Sequence, residues 1–430
     1  ILLCASSNGS TCTGSGVNPK IKTTGGTTDN FGVQFASGAR WITLKDIDIE
    51  GSGYGNGLWF TNSSVNHVNI LGGTISRYTW GWLSDPWILS TPPTFIHLGE
   101  CGHPVNIFDT NLTNGALGGG GGYGWFSDSV MAVNYRNSGS KGIYDHNVYF
   151  SSGPRTTPTQ NMTFECGTYT ESSVVNGVSE GVFLKLSGFH AGVKIRNNTF
   201  TDQACHTYVI GSTSSNDGLG NTEYVEAEIY GNVFDTSCVQ TIHGDFFRNT
   251  KIYNNIFSMR NYAGGQSYNY ISLNRGGGAA TLLGNNSIFN NSFICTQGYC
   301  PDDLGENGWI QITDGSTNNK FFNNLLYSTR SNTKLFAASC SQFGPNGADF
   351  DNNFVYVPNT SNPGMLSCSG GSGNSQSFTV NPRLTDVANF DFSLQSNSPL
   401  INAGRTSGAP ASDFAGEMRD GQPDIGAFEY

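Results

Sequence analysis

Charge is scarce in this chain. Lys, Arg, Asp and Glu make up 12% of its 430 residues, 21 basic against 32 acidic, for a formal net charge of −11. No stretch concentrates Lys or Arg, so nucleic acid and anionic lipid find no basic patch to bind. No apolar run approaches the roughly 20 residues that a membrane-spanning helix needs. No two cysteines stand in CxxC or another zinc-binding spacing. A phosphate-cradling glycine loop, a dinucleotide fingerprint and a Ser/His/Asp order are also missing. These absences argue against nucleic-acid, nucleotide and membrane-spanning functions.

What is present is small, polar or aromatic. The chain holds 57 Gly, 28 Phe, 18 Tyr and 7 Trp, more aromatic material than a disordered chain carries. Its cysteines number 10. An even count without metal spacing points to structural disulfides and an oxidising compartment, so a secreted, extracellular protein is expected. Cys4 with Cys12, and Cys295 with Cys300, are close enough to close small loops.

One short phrase recurs: IRNNTF at Ile195, IYGNVF at Ile229, IYNNIF at Ile252, IFNNSF at Ile288, FFNNLL at Phe321 and FDNNFV at Phe350. Weaker copies begin at Leu44, Ile70, Ile107 and Ile143. The long gap before Ile195 is expected to hide another copy near Met162. Apolar residues alternate in these segments, as in Ile42 and Leu44 or Val193 and Ile195, and alternation means strands rather than helix. The fourth-position asparagines Asn198, Asn232, Asn255, Asn291, Asn324 and Asn353 suit a tight bend, because Asn tolerates left-handed backbone and bonds locally. Strands stacked about 4.8 Å apart would align these amides as a ladder. The expectation is an all-β chain, a single right-handed parallel β-helix of about ten to twelve coils. A β-propeller fits less well, because its blades repeat at about 40 to 50 residues.

The NNxF corners, with the tail DFSLQSNSPLINAG and DFAGEMRDGQPDIGAFEY within residues 391–430, resemble secreted bacterial right-handed β-helix proteins of the pectate-lyase-like superfamily. The resemblance implies a solenoid over residues 1–375 and a C-terminal capping segment over 376–430 that closes the last coil. It also implies polysaccharide contact in a groove along one side, without fixing a reaction.

Three clusters are candidates for that contact. Residues 141–150, followed by Glu165, 183–190 and Arg196, place Tyr144, His146, Lys185 and Arg196 in neighbouring repeats. A lyase acting on a uronate needs a base and a cation. Lys185 alternates with Leu184 and Leu186 and should project outward. Asp145 and Glu165 are candidate ligands for Ca²⁺. The stretch IHGDFFR at 242–248 offers Asp245, with Glu228, as a weaker carboxyl pair. Tyr78, Trp80, Trp82 and Trp87, with Tyr123 and Trp125, form an aromatic cluster suited to stacking on sugars.

The expected function is an extracellular polysaccharide-binding or -processing protein, foremost a polysaccharide lyase-like enzyme. The alternative is a non-catalytic adhesin, tail-fibre or filament subunit that self-associates end to end, since a bare terminal coil exposes unpaired strand groups.

Overall fold

A computed structural model describes residues 2–3, 20–23, 31–108, 120–137, 146–153, 157–171, 182–202, 208–212, 223–236, 240–259, 269–273, 284–296, 308–313, 315–330, 333–360, 363–366, 368–372, 374 and 378–430. The fold is an all-β right-handed parallel β-helix, each coil giving one strand to each of three parallel sheets. Two compact units are present, Ile1–Val225 and Glu226–Tyr430.

In the first unit the third sheet carries the candidate site. Its strands are Phe31–Phe35, Asn56–Phe60, Trp80–Ser84, Gly120–Gly124, His146–Ser151, Val182–Ser187 and Tyr208–Ser212. Leu58, Trp82, Gly122, Val148, Leu184 and Ile210 stand in one register and point inward. The copy expected near Met162 exists, as the strand Thr163–Glu165 beside Phe189–Arg196. Apolar side chains stack coil on coil inside, as Tyr169 does on Phe200 at 4.8 Å.

In the second unit the asparagine doublets divide two tasks. The first residue of each doublet takes the left-handed bend, with φ of 50° at Asn254, 51° at Asn290, 54° at Asn323 and 50° at Asn352. The second residue, rather than the first, is the ladder rung. Its buried amide oxygen accepts from both the backbone N–H and the side-chain amide of the rung before it. These paired bonds run from Asn232 to Asn255 at 3.0 and 3.0 Å, and from Asn255 to Asn291 at 3.1 and 3.0 Å. They continue from Asn291 to Asn324 at 3.1 and 3.0 Å, and from Asn324 to Asn353 at 3.1 and 3.1 Å. Asn374 adds a last rung on Asn353. A buried amide must satisfy all its groups, and an identical neighbour one coil away does so.

The outward asparagines hold the tail. Asn254 donates to Ser412 O at 2.7 Å, Asn290 to Asp424 O at 3.0 Å, Asn323 to Arg405 O at 2.9 Å and Asn352 to Ala403 O at 3.1 Å. Leu384, Phe392, Leu394, Leu400, Ile425 and Ala427 of the tail pack on Ile256, Ile294, Leu325 and Phe354, the outer side of four successive strands of the second sheet. Most of this segment thus lies along the flank of its unit. Its start and the residues before it meet the last coil: Asn352 N donates to Ser372 O at 2.9 Å, Val357 N to Phe378 O at 2.8 Å and Leu335 N to Pro363 O at 2.7 Å.

Disulfides join Cys101 to Cys166 and Cys340 to Cys368, and Cys295 is disulfide-bonded as well. Cys4, Cys12 and Cys300 lie outside the described residues. Among the described residues no helix is long and apolar enough to cross a membrane.

Candidate functional site

The outer face of the third sheet in the first unit gathers half-buried aromatic rings in register. Trp59 pairs with Leu83, Leu83 with Tyr123, Tyr123 with Tyr149, and Tyr149 with Lys185. Ring centroids are 5.6 Å apart between Phe31 and Trp59, 5.5 Å between Trp80 and Tyr123, and 5.2 Å between Tyr123 and Tyr149. The Lys185 ammonium lies 4.6 Å from the Tyr149 ring centre, a cation–π contact. The row therefore runs along the coil axis from aromatic rings to a cation.

The structure separates the six aromatics expected to act together. Trp80 and Tyr123 belong to the outer row, and Trp87 is an exposed loop residue whose backbone N–H bonds Asp85 Oδ1 at 2.8 Å. Tyr78, Trp82 and Trp125 are instead fully buried. Tyr78 bonds Thr23 Oγ1 at 3.0 Å from within the core. Trp82 explains part of the glycine run that follows: a Cβ on Gly122 would come within 1.9 Å of the Trp82 indole. These three rings fill the interior and offer no face to a sugar.

Trp59 and Tyr149 were missing from the expected set, although each sits next to an inward residue on its strand. The signal that finds them is the register between coils rather than local clustering.

Lys185 is half-buried and outward, as the alternation requires. His146 begins the strand paired with Gly120, but its side chain, with all of Tyr144 and Asp145, lies outside the described residues. Arg196 stands on the first sheet, with its Nε 2.7 Å from Glu165 Oε2. It does not join Lys185. Glu165 is engaged by this guanidinium, and Asp145, the other carboxylate expected to hold Ca²⁺, lies outside the described residues. Among the described residues no group of three or more His, Cys, Asp and Glu could hold a metal.

Asp245 and Glu228 are also kept apart. Asp245 meets His243 Nε2 at 2.9 Å on the third sheet side, whereas Glu228 pairs with Lys251 at 3.1 Å on the first sheet.

His190, at the end of the 183–190 cluster, is structural. It is fully buried, its Nε2–H donates to Ser187 O at 2.7 Å, and its Nδ1 accepts from Thr159 Oγ1 at 2.8 Å. Burial disfavours the imidazolium and pushes its pKa down to about 4, against the opposing pull of the backbone carbonyls. Between that value and the ordinary 6.5 the unfolded chain binds more protons than the folded one, so stability falls as pH falls through this window and is complete above it. The difference amounts to about 3 kcal/mol. Denaturant titrations from pH 7 to pH 4 should show this loss in the wild type and a flatter dependence in His190→Gln. Equal slopes would remove the assignment.

No protein-family model and no curated protein matches this chain. Among solved structures, the chain is similar to pectate lyase Pel9A, at 11% sequence identity and a TM-score of 0.47, with 96% of this chain and 86% of that chain covered. The fold assignment itself rests on the strand pairing.

Proposed function

We propose that this is an extracellular polysaccharide-processing β-helix protein, and that an extended glycan lies along the outer face of the third sheet in the first unit. The observation that carries this reading is the register row Trp59, Leu83, Tyr123, Tyr149 and Lys185, with Trp80 beside Tyr123. Aromatic rings at strand spacing suit the C–H faces of successive sugars. The Lys185 ammonium suits a uronate carboxylate, and a cation there acidifies the adjacent C–H. The reaction in keeping with this is β-elimination: the C–H proton leaves to a base, its electrons form a C=C bond, and the glycosidic oxygen departs with a proton.

Among the described strands of this face, Lys185 is the one Lys or Arg. A polymer with a carboxylate on every sugar would set several charges over rings, and the net charge of −11 would repel it. Uronates spaced by neutral sugars suit the face better. The disulfides fit an oxidising, extracellular setting. Assembly end to end is less favoured, because Pro363, Ser372 and Phe378 already accept from the N–H groups of Leu335, Asn352 and Val357 in the last coil.

The test is incubation with neutral, sparsely uronate-bearing and homopolyuronate glycans, following retention and the ultraviolet absorbance of an unsaturated product. Lys185→Ala should lower turnover of the sparse uronate polymer on the order of 100-fold or more, while leaving the folded state intact by circular dichroism. Binding without absorbance change would reduce the face to a binding surface. Wild-type turnover that survives Lys185→Ala would move the chemistry elsewhere. No retention of any glycan would withdraw the reading altogether.

A further inference from the structure

The outward row of the third sheet does not stop at the cation. Lys185 stands in register with Gly211 on the next strand, and Val182, at the start of the Lys185 strand, with Tyr208. Tyr208 opens its strand as Trp80 opens an earlier one. The register links the two positions. Trp80 pairs with Gly120 and Gly120 with His146, and the pair Val148 with Leu184 sets His146 opposite Val182. Tyr208 therefore takes, beyond Lys185, the outward place that Trp80 takes beside Tyr123.

Glycine at 211 lets the ring reach the row. Alternation turns position 211 outward, as it turns Lys185. A Cβ built there would come within 3.1 Å of Tyr208 Cδ2, 3.6 Å of Tyr208 Cβ and 3.3 Å of Val182 Cγ1. The Tyr208 side chain thus lies along the bare backbone of Gly211, half-buried itself, while Gly211 is buried in spite of its outward register. A side chain at 211 would stand where the ring lies. On the other side, the Lys185 ammonium is 4.6 Å from the Tyr149 ring centre. The cation is bracketed by a tyrosine from each neighbouring coil.

That bracketing decides where along a glycan the cation can act. A cation at the end of a row of rings serves a sugar at the end of a chain. A cation between rings serves a sugar that has neighbours on both sides, each offering its C–H face to a ring.

We propose that Tyr208 forms the sugar subsite beyond Lys185, so that the face selects uronates in the interior of a glycan over uronates at its ends. The inference rests on the reading of the third-sheet face as a glycan site and adds a specificity-determining residue to it. It does not need the elimination chemistry. Trp59, Leu83, Tyr123 and Tyr149 carry the chain on one side of Lys185, and Tyr208 carries it on the other. The contribution of Tyr208 is its ring, lying flat along Gly211, rather than its hydroxyl.

The test is calorimetric titration of the full chain, which reads binding whether or not a bond is cut. Probes are oligosaccharides of neutral hexoses that end in one uronate, at the reducing or the non-reducing end, and the same chains extended beyond the uronate by one or two hexoses. Extension should tighten binding to wild type about tenfold in one of the two series. Tyr208→Ala should abolish that gain and leave the affinity for the unextended chains unchanged. Tyr208→Phe should keep the gain, which a role of the hydroxyl would not allow. No gain on extension in wild type, or a gain that survives Tyr208→Ala, overturns the inference while the glycan reading stands. Tyr208→Ala that weakens the unextended chains equally, with altered circular dichroism, makes the ring a structural element and also overturns it. No affinity for any of these chains overturns both.

Discussion

Asn291→Ala should destabilise the second unit by about 3 to 5 kcal/mol in chemical denaturation. The side chain is wholly buried. Its oxygen accepts from the backbone and side-chain N–H groups of Asn255, at 3.1 and 3.0 Å. Its nitrogen donates to Ile252 O at 2.9 Å, to Phe289 O at 3.1 Å and to Asn324 Oδ1 at 3.0 Å. Alanine leaves several of these groups dry and unpaired, each costing about 1 to 3 kcal/mol, with some relief as neighbours shift. Asn285→Ala is the control. That residue is exposed and left-handed, with φ of 53°, so its loss should be limited to the backbone preference, about 1 to 2 kcal/mol. Similar losses at the two positions would mean that the ladder adds little beyond bend geometry.

Arg419→Ala is expected to cost about 3 to 5 kcal/mol and to loosen the tail. The guanidinium is almost fully enclosed and lies 2.8 Å from Glu429 Oε2. It also donates to Gly426 O at 3.0 Å and Asn254 Oδ1 at 3.2 Å, tying the end of the chain to the coil flank. Burial lowers its pKa, and the carboxylates of Glu429 and Asp413 oppose that shift. Removing the cation strands Glu429 in a dry site, and leaving a buried charge unpaired is what makes such a deletion severe. Limited proteolysis should then cut within 384–430 faster than in wild type. Arg419→Met with Glu429→Gln should recover part of the lost stability, because no ion remains uncompensated. A loss under about 1 kcal/mol with unchanged proteolysis would show that the apolar contacts of Leu400, Phe392 and Ile425 suffice to hold the tail.

The candidate site was only partly legible, and its aromatic residues show why. Trp80 and Trp82 are two residues apart on one strand, so strict alternation puts them on the same face. Trp82 is buried and Trp80 lies in the outer row. The strand breaks its alternation at Gly81, where a Cβ would meet the Ile107 side chain at 2.8 Å and the Gly121 carbonyl at 2.4 Å. A residue with no side chain can face the interior unnoticed. Arg196 and Lys185 are close in sequence, yet the corner between Ser187 and Phe189 sends them to different sheets.

By itself the sequence determined the repeat, the strand character of its arms and the buried amide column, because a polar group inside a solenoid is tolerable only where an identical one lies a coil away. It did not determine which outward residues meet along the axis. Those neighbours are 24 to 40 positions apart, as with Tyr123, Tyr149 and Lys185, and their coincidence depends on how much chain each corner consumes. That length is set by tertiary packing. The same reason hid the split role of the doublets: only the folded flank shows that the outward asparagine serves the tail.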